Sequence, residues 1–164
     1  MKEKTCFFTG HRNIAKKDYE KIYQLTKNSI LFRIVNNDIK YFKVGGARGF
    51  DMIASLVIIE LKKEFKDIKL ILILPCKNQM NNWCKNDKDL YNIVLQNADE
   101  IIYISENYTK DCMLKRNDKL LEDSMFCICY LRKSAKMGGT FYTVNRAEKQ
   151  NIKIYNINNI IEIK

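Results

Sequence analysis

Six strand-like segments alternate with helical segments along the 164-residue chain, and this alternation predicts a Rossmann-like, doubly wound α/β fold. We expect a mainly parallel six-stranded sheet with helices on both faces, formed as a single domain over residues 1–164. Two further observations agree with this fold. The segment Ile68–Leu74 is almost wholly apolar, as in a strand covered on both faces, and every glycine follows a predicted strand.

The individual elements are predicted from local patterns. Short β-branched and aromatic runs predict strands at Thr5–Thr9, Lys40–Val44, Ile68–Leu74, Glu100–Ile104, Ser124–Leu131 and Ile152–Ile157. Helical segments are expected at Lys17–Val35, Phe50–Phe65, Asn86–Asn97, Cys112–Leu121 and Thr140–Lys149. Pro75 is expected to end the third strand, and Asn156–Lys164 to form a short edge element or a tail.

Composition predicts a globular protein of the cytoplasm. Hydrophobic residues make up 46% of the chain, and no apolar run approaches the roughly 20 residues of a membrane span. No secretory signal is recognisable and the six cysteines form no Cys-x-x-Cys pair, so we expect reduced thiols, no metal site and no cofactor. The net charge of +10 comes mostly from scattered lysines, which an AT-rich coding bias explains, while a nucleic-acid partner stays open.

Glycine loops after strands two and five predict an anion-binding site. Candidate ligand-binding residues after strand two are Gly45, Gly46, Ala47, Arg48, Gly49 and Asp51. Backbone N–H groups, a guanidinium and a helix start can together hold a phosphate. Gly138, Gly139 and Thr140 repeat the pattern after strand five. The alternative for each loop is a tight turn with Asp51 or Thr140 as the helix cap.

Polar residues after the other strands complete the predicted site. The common strand order 3-2-1-4-5-6 would bring the loops after strands one, two, four and five to one cleft. The further ligand-binding candidates are Thr9, Gly10, His11, Arg12, Pro75, Gln79, Trp83, Ser105, Arg116 and Asn117. Trp83, the only tryptophan, either stacks on a base or fills the core. A catalytic acid or base would come from Asp51, Asp118 or His11, with Asp123 weaker because it precedes a buried strand.

The ordered set of motifs resembles the SLOG superfamily, in its small bacterial and phage branch. The motifs are Thr9-Gly10-His11-Arg12, Gly45-Gly46-Ala47-x-Gly49-x-Asp51, Pro75-Cys76-x-x-Gln79, Met113-x-x-Arg116-Asn117, Asp123 and Gly138-Gly139-Thr140-x-x-Thr143-Val144. The resemblance implies a Rossmann-like fold that binds nucleotides or nucleotide-derived ligands. The superfamily includes Lonely Guy phosphoribohydrolases, DNA-processing protein A and ligand-sensing domains of antiphage defence, so the fold does not choose among these functions.

One departure from the Lonely Guy enzymes bears on catalysis. Those enzymes have a Pro-Gly-Gly-x-Gly-Thr loop followed closely by a catalytic glutamate. The matching segment here, Met137–Tyr142, lacks the proline, the third glycine and the nearby acid. This difference argues against N-glycoside hydrolysis by that mechanism.

The residues and the resemblance leave three functions open. The first is binding of a phosphate-bearing small molecule, such as an ADP-ribose derivative or a cyclic-nucleotide signal. The protein would then be a sensor, a carrier or a sequestering protein, for example one that a phage uses against antiviral defence. The second is a nucleotide hydrolase that cleaves an N-glycosidic or phosphate bond, and the third is a protein that binds single-stranded nucleic acid. The resemblance also implies a homo-oligomer.

Overall fold

The computed structural model describes residues 1–162, with side chains through residue 159. Within that range six parallel strands form one sheet: β1 (Thr5–Gly10), β2 (Tyr41–Val44), β3 (Lys69–Cys76), β4 (Glu100–Ser105), β5 (Phe126–Tyr130) and β6 (Lys153–Asn156). The α-helices of this range are α1 (Lys16–Asn37), α2 (Phe50–Leu61), α3 (Lys85–Asn97), α4 (Cys112–Leu121), α5 (Gly139–Lys149) and α6 (Ile157–Glu162), and Lys2–Lys4 form a short 3-10 helix. The prediction of a Rossmann-like α/β fold is confirmed.

Two helical layers bury the two faces of the sheet. Helices α1, α2 and α3 cover one face over a large apolar core, and α4 and α5 cover the other face over a smaller core. Successive strand residues point to opposite faces, so Phe8 packs into the larger core and Phe7 into the smaller one. Both rings are fully buried, and burial of such a side chain stabilises the fold by about 1.5–3 kcal/mol.

The strand order differs from the expected one. The observed order is β4-β3-β2-β1-β5-β6, so β4 is an edge strand paired with β3, and β1 pairs with β5. The expectation that β1 and β4 flank the crevice is therefore wrong. Alternating strands and helices specify a parallel sheet but not the strand at which the winding reverses. Here the reversal comes after β4, and α4 then crosses back over β3 towards β1.

Several element boundaries also differ from expectation. Strand β3 continues through Pro75 to Cys76, because β2 ends at Val44 opposite Leu72 and leaves the end of β3 paired on one side only. Helix α2 ends at Leu61 rather than Phe65. Residues Ile157–Glu162 form a helix instead of an edge element or a tail, and residues 163–164 lie outside the described range. None of the helices within residues 1–162 has the length and apolarity that a bilayer crossing requires.

Candidate functional site

A cleft of about 510 Å³ opens at the carboxyl edge of the sheet, between the end of β1, helix α4 and the start of α5. We call it the central cleft. The predicted site residues that line it are Thr9, Gly10, His11, Arg12, Ala47, Asp51, Arg116, Asn117, Gly138, Gly139 and Thr140. The loops after β1, β2 and β5 converge as expected. Because β4 lies at the sheet edge, helix α4 takes the place that the loop after β4 was expected to occupy.

Asp51 brings a buried carboxyl group to the central cleft from the first turn of α2. Its side chain is 5% exposed, and Oδ2 accepts a hydrogen bond from the Ala47 N–H at 3.2 Å. The other oxygen, Oδ1, is buried without a hydrogen-bond partner in the described structure. Burial raises the pKa of Asp51 to about 6, although the positive charge of Arg116 opposes the rise. A carboxyl group with such a pKa exchanges its proton close to neutral pH.

Arg116 forms the wall of the cleft beside Asp51. Its Nε donates a hydrogen bond to Oδ1 of Asn117 at 2.8 Å, and its guanidinium donates another to the Gly45 carbonyl. Burial lowers the pKa of Arg116, an effect that the charge of Asp51 opposes. A Cβ atom on residue 45 would lie 2.6 Å from the guanidinium and 3.0 Å from Oδ2 of Asp51. Gly45 therefore permits the close packing that holds this buried charged pair.

The imidazole of His11 is engaged by the backbone that follows β5. Its Nε2 accepts a hydrogen bond from the Arg132 N–H at 2.9 Å, and its ring meets Tyr130 edge to face at 5.6 Å. Burial and the charge of Arg132 lower the pKa of His11, which favours the neutral ring. Because Nε2 accepts a hydrogen bond, the neutral ring carries its proton on Nδ1. This arrangement leaves an N–H donor for a ligand, while the Nε2 lone pair that a general base needs is occupied.

The two glycine loops differ in exposure, because Gly45, Gly46 and Ala47 are buried whereas Gly138 and Gly139 are exposed. In the loop before α2, the Ala47 N–H donates to Asp51, and the Phe50 N–H donates to the His11 carbonyl at 3.1 Å. At the start of α5, the N–H groups of Gly139 and Thr140 have no acceptor among the described residues, and no described side chain caps the helix. The amino end of α5 is thus the more open place for an anion.

Gly138 gives the start of α5 its shape. Its φ of 100° is a conformation that residues with a side chain rarely adopt, and the space next to its Cα is open. The Thr143 hydroxyl donates to the Gly139 carbonyl at 2.8 Å and fixes the first turn. The N–H groups at the amino end of α5 are therefore presented to the cleft by a well-defined turn.

Arg12 joins the central cleft to two neighbouring cavities. One, of about 180 Å³, is lined by Arg12, Ala47, Arg48, Gln79, Trp83, Tyr108 and Met113, and we call it the aromatic cavity. The other, of about 580 Å³, lies between the loop after β1 and helices α1, α2 and α3, and we call it the outer cavity. Arg12 is exposed and lines all three cavities, and its side chain forms no hydrogen bond or ion pair with residues 1–159. It is available to an anion.

Some predicted ligand-binding residues lie next to the central cleft rather than in its lining. Gly45 and Gly46 are buried behind it, and the Gly46 carbonyl accepts a hydrogen bond from Gln79 at 3.3 Å. Arg48 and Gly49 line the outer cavity. The residues of the aromatic cavity that were predicted from the sequence are Arg12, Ala47, Arg48, Gln79 and Trp83.

Other predicted residues are not brought to any of these cavities. Pro75 is buried inside β3, and Ser105 lies at the end of the edge strand, where its hydroxyl donates to the Asn107 carbonyl at 2.7 Å. Asp118 forms an ion pair with Arg146 at 3.1 Å. Asp123 precedes β5 and so lies at the opposite, amino edge of the sheet. The strand order explains the position of Ser105, because β4 is far from β1 in the sheet.

Cavity residues that the sequence interpretation missed include Asn13, Tyr19 and Arg132 of the outer cavity. Leu114 and Met137 of the central cleft were also missed. Arg132 carries the same signal that identified Arg12, namely an arginine shortly after the end of a central strand. The others have no comparable signal, because apolar or amide side chains in loops and helix ends are common everywhere.

The sheet is parallel, and its glycine loops and arginines surround a cleft at the carboxyl ends of the strands. These features define a Rossmann-like protein with a binding site at that edge. Comparison with known families agrees with this class. The model of the YpsA family, described as the YspA SLOG family, matches residues 6–163, and the chain belongs to this family. The resemblance to the SLOG superfamily is confirmed.

Two relatives illustrate the sequence similarity. A UPF0398 protein of Staphylococcus epidermidis is 30% identical over 128 residues, which cover 73% of this chain and 68% of the relative. The UPF0398 protein YpsA of Bacillus subtilis is 25% identical over 154 residues, which cover 90% of this chain and 86% of the relative.

Solved structures of DNA processing protein A have a similar fold. The Streptococcus pneumoniae protein aligns with a TM-score of 0.64 and 14% identity over 93% of this chain and 49% of its own, so this chain spans about half its length. The Helicobacter pylori protein, described with a single-stranded DNA binding mode, aligns with a TM-score of 0.51 and 18% identity over 97% of this chain and 79% of its own.

Proposed function

We propose that the central cleft binds a nucleotide-derived, phosphate-bearing small molecule, which the protein senses, carries or sequesters. The observation that carries this proposal is Arg12, whose side chain forms no hydrogen bond or ion pair in the described structure and which lines the same cleft as Gly139 and Thr140, whose N–H groups have no described acceptor. A guanidinium and the amino end of a helix together make a strong phosphate site.

The size and lining of the cleft agree with such a ligand. Its volume of about 510 Å³ falls in the range of about 300–1,000 Å³ that is typical of small-molecule sites. Phe8, Met113, Leu114 and Leu120 give it an apolar wall, while Thr9 and Asn117 add polar groups. An apolar wall with a few polar groups that fix the orientation of the ligand is the usual lining of a small-molecule site.

The first experiment is calorimetric titration with a panel of AMP, ADP-ribose, cyclic ADP-ribose isomers and cyclic nucleotides. We expect saturable binding of at least one member without turnover. Loss of a hydrogen bond to a charged group costs about 1.5–3 kcal/mol, so Arg12→Ala should weaken that ligand about 10- to 100-fold. Arg48→Ala should also weaken binding, whereas Lys17→Ala, which removes the same charge at an exposed position outside the cavities, should not.

The absence of heat with every member of the panel would contradict the proposal. Equal weakening by Arg12→Ala and Lys17→Ala would instead show that net charge, and not the cleft, determines binding. Because the domain boundaries 1–164 and self-association are also predictions, the titration should be accompanied by sedimentation analysis, which reports the oligomeric state of the chain.

Binding of single-stranded DNA is the second candidate function. It is favoured by the net charge of +10 and by the similar fold of the Helicobacter pylori protein, for which such binding is described. Affinity for a DNA strand should fall steeply with salt, with a slope of log K against log salt of about −0.7 for each phosphate contacted. Binding to an oligodeoxythymidine strand that barely changes with salt would exclude this function.

Hydrolysis of a nucleotide is favoured by one observation, the Asp51 pKa of about 6 in the central cleft. A general acid or base works best when its pKa lies near the working pH. Product formation from AMP or NAD that disappears in Asp51→Asn but persists in Asp118→Asn would establish catalysis. Intact substrate after prolonged incubation with the unmodified protein would rule it out.

A further inference from the structure

The aromatic cavity is a small compartment that opens beside Arg12, next to the central cleft. Its volume of about 180 Å³ is below the range of about 300–1,000 Å³ that whole small-molecule ligands occupy. Since Arg12, Ala47 and Met113 line both spaces, the aromatic cavity and the central cleft are contiguous. The cavity therefore has the size and position to hold one part of a ligand whose other part lies in the cleft.

Trp83 is held rigidly at this cavity by a chain of contacts from the glycine loop. The Gln79 amide donates hydrogen bonds to the Gly46 carbonyl at 3.3 Å and to the Tyr91 hydroxyl at 3.0 Å. The buried Tyr91 ring meets the Trp83 ring edge to face, with 5.2 Å between the ring centroids. One side of Trp83 thus packs on the core while another part of the residue borders the cavity.

Two further flat groups border the same cavity. The guanidinium carbon of Arg48 lies over the Trp83 ring, 5.5 Å from its centroid. Tyr108 also lines the cavity, and the residue is 64% exposed. Aromatic rings and arginine planes are the groups on which proteins stack nucleobases.

We propose that the aromatic cavity is a nucleobase subsite. The base stacks against Trp83, Arg48 and Tyr108, and the sugar and phosphate extend past Arg12 into the central cleft. This inference rests on the proposed function, because it assigns the base of the ligand whose phosphate the cleft holds. A free nucleotide and a single-stranded nucleic acid both present this chemistry, and the test includes both.

Trp83 is the only tryptophan, so its fluorescence reports directly on the subsite. The unmodified protein is titrated with AMP, GMP, CMP and UMP and, separately, with ribose 5-phosphate, which has the same sugar and phosphate but no base. We expect at least one nucleotide to bind about tenfold or more tightly than ribose 5-phosphate and to quench Trp83. Ribose 5-phosphate should bind weakly, detected by calorimetry, and leave the fluorescence unchanged.

Tyr108→Ala tests the stacking without disturbing the core, because the side chain is exposed. Loss of one stacking ring should weaken the nucleotide about tenfold and leave ribose 5-phosphate unaffected. Phe32→Ala, at an exposed aromatic residue of α1 that borders neither cavity, serves as the control and should change neither affinity.

The outcomes separate the subsite from the proposed function. Equal affinity for nucleotides and ribose 5-phosphate, or an unchanged nucleotide affinity in Tyr108→Ala, overturns the subsite and leaves the phosphate site standing. Binding of an oligodeoxythymidine strand alone, lost in Tyr108→Ala, supports the subsite and replaces the small molecule by a nucleic acid. No binding of any of these probes overturns the subsite, whereas the proposed function is overturned only if ADP-ribose and the cyclic nucleotides also fail to bind.

Discussion

Replacement of Asp51 by asparagine should change how the stability of the protein depends on pH. The pKa of Asp51 is about 6 in the folded chain, against an ordinary value of 3.8. The folded state therefore binds more protons than the unfolded state between these values, and the free energy of unfolding falls as the pH rises. Each pKa unit corresponds to about 1.36 kcal/mol. At pH 7 the free energy of unfolding is therefore about 3 kcal/mol lower than it would be with Asp51 protonated.

About 1.4 kcal/mol of this change falls between pH 5 and pH 8, where most other carboxylates stay ionised. His11, the only histidine, acts in the opposite direction, because burial lowers its pKa and the unfolded state binds the extra proton. His11 is present in both proteins, so its contribution cancels when the two are compared. The attraction between Asp51 and Arg116 is already included in the pKa of about 6, so its loss in Asp51→Asn adds no separate pH-dependent difference.

The assay is urea-induced unfolding, followed by circular dichroism at pH 5, 6, 7 and 8 and constant ionic strength. From pH 5 to pH 8, the unmodified protein should lose about 1.4 kcal/mol more of its unfolding free energy than Asp51→Asn does. Asp111→Asn is the control, because its hydrogen bond with Lys115 lowers the pKa of the exposed Asp111 and keeps it ionised throughout. Parallel curves for the unmodified protein and Asp51→Asn would refute the reasoning.

Three smaller predictions concern the residues around the cleft. Gly45→Ala should lower the melting temperature by about 3–10 °C, because its methyl group would lie 2.6 Å from the Arg116 guanidinium. Such overpacking costs about 1–3 kcal/mol. An unchanged melting temperature would mean that Arg116 moves aside freely. Gly138→Ala should cost about 1–3 kcal/mol in urea unfolding from its backbone conformation alone, since no atom lies close. Full stability would contradict this. His11→Ala leaves the Arg132 N–H without its acceptor, so at pH 8 it should lower the free energy of unfolding by about 1 kcal/mol or more in the same assay. An equally stable variant would show that water replaces the hydrogen bond.

The fold was largely predictable because each element has a strong local signal. The apolar run of β3 and the glycines after β1, β2 and β5 place the elements within a few residues of their observed positions. The order of the strands was not predictable, because it depends on where α4 crosses the sheet, and that crossing depends on packing between distant segments. The error matters for Ser105 alone among the site candidates, since it ends the strand that moves to the edge.

The residues that line the cleft were easier to predict than their protonation and hydrogen bonding. The positions of His11 and Asp51 follow from their places after β1 and β2. Their chemistry depends on the backbone N–H of Arg132 in one case, and on burial and Arg116 in the other. Sequence spacing does not reveal such contacts, because they connect residues that are far apart in the chain.

The position of Arg12 at the junction of three cavities has an energetic consequence. Two anionic molecules that occupied neighbouring cavities and both bound Arg12 would share a single guanidinium. Each would then reduce the affinity of the other, and by thermodynamic reciprocity the two reductions are equal. A molecule long enough to extend from one cavity into the next, with a single charged group at the junction, avoids this antagonism.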